Sequence, residues 1–142
     1  MLLIVIAVAA AVVTYTFVMG FVGTGTQSRG ITGQLIYDAY SVTDGTDANI
    51  TAYIRNTGGV DLIINAVYVD GTPYKYNSTA TSTAEVYSGE WLLLVGGSNT
   101  ANLPAASTGT LYINTNNLNA AHWHTVRLVC TDGTTLEFSV RK

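Results

Sequence analysis

The chain has 142 residues, the length of one domain, and only 11% of them are charged: six basic and nine acidic side chains give a net charge of −3. An average soluble domain has about 25% charged residues. So few and so scattered basic residues exclude nucleic-acid binding by phosphate neutralisation. The apolar fraction of 48% excludes intrinsic disorder, and the single cysteine, Cys130, excludes an intramolecular disulfide framework.

An apolar run opens the sequence. Residues 1–22, MLLIVIAVAAAVVTYTFVMGFV, contain no charged side chain. As a helix they would extend about 33 Å at 1.5 Å per residue, which is enough to cross the hydrocarbon core of a membrane. The run is longer than the apolar region of a typical signal peptide and lacks its basic flank. The sequence therefore predicts a membrane-spanning helix.

Small residues in this run favour packing against other helices. Alanines cluster at positions 7 and 9–11, a glycine follows at position 20, and threonines stand at positions 14 and 16. Small side chains let helix backbones approach closely, and threonine hydrogen-bonds to its own helix or to a neighbouring one. The residues that we expect to pack between helices are Leu3, Ile6, Ala7, Ala10, Val13, Thr14, Phe17 and Gly20.

Residues 23–30, GTGTQSRG, are predicted to form a flexible connector. Three glycines within eight residues break the helical pattern, and the other side chains are polar. The segment is not a phosphate-binding loop, because it has neither the GxGxxG spacing nor a Lys-Ser/Thr pair.

From residue 31 onward, apolar and polar residues alternate with the period of β-strands. Ile50, Ala52 and Ile54 alternate with polar residues, and so do the apolar residues of 126–130 and 136–140. The predicted strands are 33–41, 48–55, 60–69, 72–76, 83–88, 91–95, 109–113, 124–130 and 134–140. The predicted fold is therefore α+β in content but mainly all-β, a long N-terminal hydrophobic helix followed by an immunoglobulin-like antiparallel β-sandwich head over residues 31–142.

Turn residues separate these strands. Asp132-Gly133 lies between two alternating runs and predicts a hairpin with a type I′ turn, in which both central residues have positive φ. Asp70-Gly71, Asp44-Gly45 and Gly96-Gly97 predict three more turns.

Residues that could carry chemistry are sparse. His122 and His124 would share one face of a strand and could hold a metal ion, but the sequence indicates no third ligand. Cys130 alternates with apolar neighbours and is predicted to be a small core residue. The chain has no nucleophile elbow and no closely spaced carboxylate pair that a turn does not explain. We therefore expect no catalytic, cofactor or metal residues and no enzymatic activity.

Two N-glycosylation motifs occur, at Asn49-Ile50-Thr51 and at Asn77-Ser78-Thr79. Asn49 and Asn77 are therefore candidate glycan acceptors of an extracellular glycoprotein, and Asn77 lies in the more polar segment.

Three segments resemble one known family. LLIVIAVAAAVVTYTFVMGF resembles the N-terminal helix of archaeal type IV pilins, ITAYIRNTGGVDLIINAVYVDG resembles a strand pair in the heads of these pilins and of archaellins, and RLVCTDGTTLEFSVR resembles their closing hairpin. Residue 5 is valine, whereas bacterial type IV pilins carry a glutamate near the mature N-terminus, so the resemblance is to the archaeal branch.

This resemblance implies a structural subunit of an extracellular archaeal pilus for surface adhesion. The helix would wait in the membrane and then join a core bundle of identical helices, so that the partners are copies of the same chain in a helical homopolymer. A prepilin peptidase and the pilus assembly machinery are the further partners that the family implies, and no cofactor is implied.

Two alternatives remain at this point. The first is an archaellin, which has the same build but serves swimming. The second is a monomeric membrane-anchored binding domain, for which we expect a pocket with exposed aromatic residues.

Overall fold

A long helix and a β-rich head make up the chain. The computed structural model describes residues 1–25, 33–43, 48–115 and 118–142. It divides the chain into two compact units, Met1–Ile31 and Thr32–Lys142.

Helix α1 spans Leu2–Gly25, three residues beyond the predicted end at residue 22. Gly23 and Gly25, which were expected in the connector, are helical. A glycine weakens a helix by about 1 kcal/mol relative to alanine without necessarily ending it. The rest of the predicted connector, residues 26–30, lies outside the described residues.

The head contains ten described strands. They are β1 (Leu35–Val42), β2 (Asn49–Asn56), β3 (Leu62–Val69), β4 (Thr72–Tyr76), β5 (Glu90–Val95), β6 (Ser98–Asn99), β7 (Asn102–Leu103), β8 (Thr108–Asn114), β9 (Trp123–Cys130) and β10 (Thr135–Arg141).

These strands form two facing layers joined at one edge. One layer has the order β1-β2-β8-β5, and the other has the order β4-β3-β9-β10. All pairs within the layers are antiparallel, while β4 and β5 pair in parallel and connect the layers. At the opposite edge, the rings of Tyr37 on β1 and Phe138 on β10 stack with centroids 4.9 Å apart. The predicted mainly-β sandwich behind an apolar helix is confirmed.

The core lies between the layers and follows the predicted alternation. Ile50, Ala52 and Ile54 are fully buried, and Cys130 is 3% exposed. Trp91 on β5 is buried at the centre, where its indole N–H donates to the carbonyl oxygen of Tyr74 at 3.1 Å. Burial of alternate residues from both layers gives the head a hydrophobic core of its own.

Strand β3 interrupts the alternation. Leu62 and Ile64 point into the core, and then Val67 and Val69 do so, which is a change of phase by one residue. The pairing with β9 shifts at the same place, between Ile64 and Ala66. A β-bulge inserts the extra residue that such a change of phase requires.

The two Asp-Gly hairpins have different turns. At Asp70-Gly71 both residues have positive φ, 50° and 79°, as a two-residue type I′ turn requires. At Asp132-Gly133 only the glycine has positive φ. There the loop comprises three residues, Thr131 to Gly133, because Cys130 donates its N–H to the carbonyl of Thr134 at 2.8 Å. The hairpin was predicted correctly, but its type I′ turn was not.

The predicted strand 83–88 is also wrong. Thr83–Glu85 form one 3₁₀ turn within a long loop between β4 and β5. Side chains form hydrogen bonds with the backbone in this loop: the Glu85 carboxylate accepts from the N–H of Thr81 at 2.6 Å. Such local bonds compete with a strand ladder. The predicted Gly96-Gly97 turn is present between β5 and β6, and Asp44-Gly45 lies outside the described residues.

The fully buried Leu111, opposite Leu93 in the pairing of β8 with β5, tests the core. We expect Leu111→Ala to lower the free energy of unfolding by about 2–5 kcal/mol, because it leaves a cavity. The measurement is urea unfolding of the full chain in detergent micelles, followed by near-UV circular dichroism. Ile63→Ala, at a 48% exposed position on β3, is the control, with an expected loss of about 0.5 kcal/mol. Equal losses in the two variants would contradict this assignment of the core.

Candidate assembly surfaces

Helix α1 has an apolar surface that is exposed over residues 2–19. Residues 1–19 are all exposed. Large apolar side chains are among the most exposed: Leu3 is 83% exposed and Phe17 is 75% exposed. Apolar residues follow one another on all sides rather than in a stripe. A helix that is apolar all round is stable only when lipid or protein surrounds it.

Seven of the eight predicted packing residues are shown to lie on this surface. Leu3, Ile6, Ala7, Ala10, Val13, Thr14 and Phe17 are exposed in the structure, while the surface of Gly20 lies outside the described residues. Their role in helix packing stays a prediction. By length and composition, Leu2–Met19 is an 18-residue segment that can cross a membrane, with a mean hydropathy of 2.6.

The hydroxyls of Thr14 and Thr16 are both hydrogen-bonded within the helix. Thr14 donates to the carbonyl oxygen of Ala10 at 2.7 Å, and Thr16 donates to that of Val12 at 2.6 Å. Of the two uses that the sequence allowed for these threonines, the structure shows the bond to the helix's own backbone. Neither hydroxyl proton therefore needs water when the helix is surrounded by apolar material.

The two histidines do not act as a pair. His122 is exposed, whereas His124 is 7% exposed and points into the head. Its Nδ1 lies 2.6 Å from Oδ2 of Asp70, and its Nε2 lies 3.0 Å from the carbonyl oxygen of Asn119. Within the described residues, no group of three or more His, Cys, Asp or Glu side chains is placed to hold a metal ion.

The charges of His124 and Asp70 stabilise each other. Burial disfavours the charged imidazole, but the hydrogen bonds to Asp70 and Asn119 and the Asp70 charge outweigh it and raise the pKa of His124. Burial likewise disfavours the Asp70 carboxylate, but hydrogen bonds from His124 and from the N–H of Thr125 lower the pKa of Asp70. The arrangement is an ion pair built into the end of the head.

Cys130 is chemically protected. Burial, with a further contribution from the Asp132 charge, raises the pKa of its thiol to about 11. Because the thiolate is the nucleophilic form, this cysteine is unreactive at neutral pH. It is a core residue, as the sequence predicted.

The two candidate glycan acceptors have different surroundings. Asn49 is half-buried at the start of β2, where no described residue donates to its buried Oδ1. Asn77 is a hydrogen-bonding centre: its Nδ2 donates to the Glu85 carbonyl at 3.1 Å and to the Glu90 carboxylate at 2.8 Å, and its Oδ1 accepts from Thr79 and Ala80. A glycan on Nδ2 would replace one of these two N–H donors. Glycosylation of both residues stays a prediction.

A cleft on the outer face of β9 and β10 bears on the binding-domain alternative. Its volume is about 460 Å³, and Tyr68, Arg127 and Glu137 contribute to its lining. Neither tryptophan is among its lining residues: Trp91 is buried in the core, and Trp123, 63% exposed, lies on the same outer face of β9 without lining the cleft. The exposed aromatic residues expected of a binding pocket are therefore not gathered at this cleft.

No protein-family model and no curated protein matches the sequence, but solved structures resemble it. The archaellum periplasmic stator protein FlaG from Sulfolobus acidocaldarius has a TM-score of 0.55 and 19% identity, covering 77% of this chain and 100% of that one. The FlaF–FlaG stator complex from the same organism has a TM-score of 0.54 and 21% identity, covering 81% of this chain and 95% of the matched chain.

The third similar structure is the Iho670 flagellar-like filament, with a TM-score of 0.52 and 17% identity. The chain has the fold of archaeal filament-related proteins. The match to the filament covers 99% of this chain and 95% of the other, so it includes the helix as well as the head. The match to FlaG covers 77% of this chain, a share close to that of the head alone.

The Asn77 contacts predict a structural role that does not depend on glycosylation. We expect Asn77→Ala to lower the free energy of unfolding by about 1–3 kcal/mol in a host without N-glycosylation, because partly buried partners lose their hydrogen bonds. Thr79→Ala, which removes the same motif but leaves the Asn77 amide in place, is the control and should cost less than about 1 kcal/mol. Urea unfolding of the full chain in micelles measures both. A loss in Thr79→Ala as large as that in Asn77→Ala would refute the structural role.

Proposed function

We propose that this chain is the structural subunit of an extracellular archaeal filament of the type IV pilus kind, with an adhesive role and no enzymatic activity. The observation that carries the proposal is the apolar surface of α1, which is exposed on all sides of the helix over residues 2–19. In this proposal, other molecules cover that surface, while the head has a hydrophobic core of its own. The similarity of helix and head together to a flagellar-like filament supports the same function.

In this proposal, the apolar surface of α1 has two successive environments. The helix first lies in the membrane, where lipid surrounds it, and then joins a bundle of identical helices at the filament axis. Lipid tails are as apolar as the bundle, so close packing at Ala7, Ala10 and Gly20, rather than exclusion of water, favours the transfer. The internally bonded hydroxyls of Thr14 and Thr16 are compatible with both surroundings.

The assembled filament is held by the hydrophobic effect. Once the filament is in water, withdrawal of one helix would expose on the order of 2,000 Å² of mostly apolar surface, or roughly 50 kcal/mol at 25 cal/mol per Å². This value is an upper bound, yet a small part of it suffices to make loss of a subunit negligible. A prepilin peptidase and a pilus assembly machinery are the partners that the proposal requires.

The assembly role predicts the effect of one charge in the helix. We expect Ala10→Asp to abolish filaments, because a carboxylate buried among apolar helices costs several kcal/mol without a partner. The control is Ala84→Asp, which places the same charge on an exposed part of the head and should leave filaments intact. Electron microscopy of sheared cell-surface material, with immunodetection of the chain in the membrane, measures both. Normal filaments in Ala10→Asp would refute the proposal.

The same variant separates adhesion from swimming. If the filament is an adhesive pilus, the Ala10→Asp strain loses surface attachment and keeps its motility. An archaellin, which has the same build, gives the opposite result.

A membrane-anchored, stator-like component is the second candidate. It is favoured by the likeness of the head to the FlaG stator protein over the whole of that chain. Cryo-electron microscopy of filaments sheared from cells decides between the two. A filament in which residues 1–22 are traced in a helical core supports the subunit, whereas retention of the chain in the detergent-soluble membrane fraction supports the anchored component.

A further inference from the structure

His124 links three segments at one end of the head. Its ring lies between the Asp70 carboxylate in the β3–β4 turn and the Asn119 carbonyl before β9. The other carboxylate oxygen of Asp70 accepts from the N–H of Thr125 at 2.8 Å. We refer to His124, Asp70 and Asn119 together as the His124 clamp.

Both partners of the ring are hydrogen-bond acceptors. An ionised carboxylate and a backbone carbonyl have no proton to donate, and a neutral imidazole has only one N–H. Only the imidazolium donates at Nδ1 and at Nε2 together. The geometry of the clamp, with distances of 2.6 and 3.0 Å, is therefore complete only when His124 is protonated.

The segment that the clamp holds is strained. Ala121 has φ of +89°, a backbone conformation in which L-residues are rare and which persists only where surrounding contacts enforce it. Leu118 is anchored separately, because it is 7% exposed and belongs to the hydrophobic core, so the clamp acts on residues 119–122. Among the described residues, the other hydrogen bond of these four runs from the N–H of His122 to the Asn119 carbonyl at 3.4 Å. Loss of the His124–Asn119 bond would let Ala121 relax.

We propose that the His124 clamp is a proton-dependent latch: the imidazolium holds residues 119–122 against the head, and loss of its proton releases this segment. Trp123, 63% exposed, follows this segment directly, so the latch controls the order of the backbone beside the exposed indole. The latch belongs to the head and stands independently of filament assembly.

The direction of the pH dependence follows from the two shifts. The pKa of His124 is raised, so its stabilising effect is complete below the pKa of the unfolded chain and is lost as the pH rises through the folded value. The pKa of Asp70 is lowered, so its effect is lost only as the pH falls through that lower value. The stabilising effect of the latch is therefore complete between about pH 3.9 and about pH 6.5. On the alkaline side it is lost as the pH rises through the folded pKa of His124.

Other ionisable groups lie on the elements around the clamp. Tyr74 on β4 stays neutral through this range, because burial and the Asp70 charge raise its pKa. The remaining groups are His122 in the held segment and Arg141 and Lys142 at the end of β10, where Arg141 is opposite Trp123 in the pairing. Arg141 and Lys142 carry positive charge near the end of the strand that pairs with the start of β9.

The test is an NMR titration of the full chain in detergent micelles, with labelled histidine rings and backbone amides. We expect both ring nitrogens of His124 to be protonated at pH 6, with a midpoint higher than that of the same residue in the urea-unfolded chain. We also expect the amide protection of His122, whose N–H donates to the Asn119 carbonyl, to fall with that same midpoint after correction for the intrinsic pH dependence of exchange. Protection that stays constant through the titration of His124 would overturn the latch.

Asp70→Asn is the matched variant. Asparagine keeps an oxygen to accept from Thr125 and tolerates the positive φ of this turn, but it removes the charge. We expect the midpoint of His124 to fall and the loss of amide protection at His122 to move down in pH with it. An unchanged midpoint in Asp70→Asn would refute the ion pair on which the latch depends.

Discussion

The exposed apolar surface of α1 is the constraint on which the rest of the chain depends. An 18-residue apolar segment is unstable in water. It also has no polar face, which a helix needs in order to lie at a membrane surface. It must lie in lipid or among other helices, and because the described residues contain one such helix, those other helices come from other molecules. The head is free of this demand, because its two layers bury their apolar faces against each other.

The strands of the head were largely predictable because alternation is a local signal. On β2, the apolar residues Ile50, Ala52 and Ile54 alternate with other residues in the sequence, and all three are buried in the structure. The strand predicted at 83–88 failed because alternation there has only Val86 to bury, while Glu85 and Asn77 offer the backbone other hydrogen bonds. Local side-chain chemistry prevailed over a weak periodicity.

The contacts at the candidate sites were less predictable, since they join residues distant in sequence. The spacing of His122 and His124 suggested two metal ligands on one face, whereas the partner of His124 is Asp70, 54 residues earlier. That carboxylate lies in the very Asp-Gly turn whose position the sequence did indicate. The pairing of β3 with β9, which brings the turn beside the start of β9, could not be predicted from the sequence.

Low charge also bears on assembly. Arg55 and Asp38 form an ion pair at 2.7 Å, but their side chains are 46% and 37% exposed, and such a pair contributes about 0–1 kcal/mol at most. A net charge of only −3 over 142 residues gives copies of the head little repulsion to overcome when they come together. For a monomer this would favour aggregation. For a subunit whose helix must gather with identical helices, it removes an electrostatic cost that would grow with every copy added, so that assembly is left to packing and the hydrophobic effect.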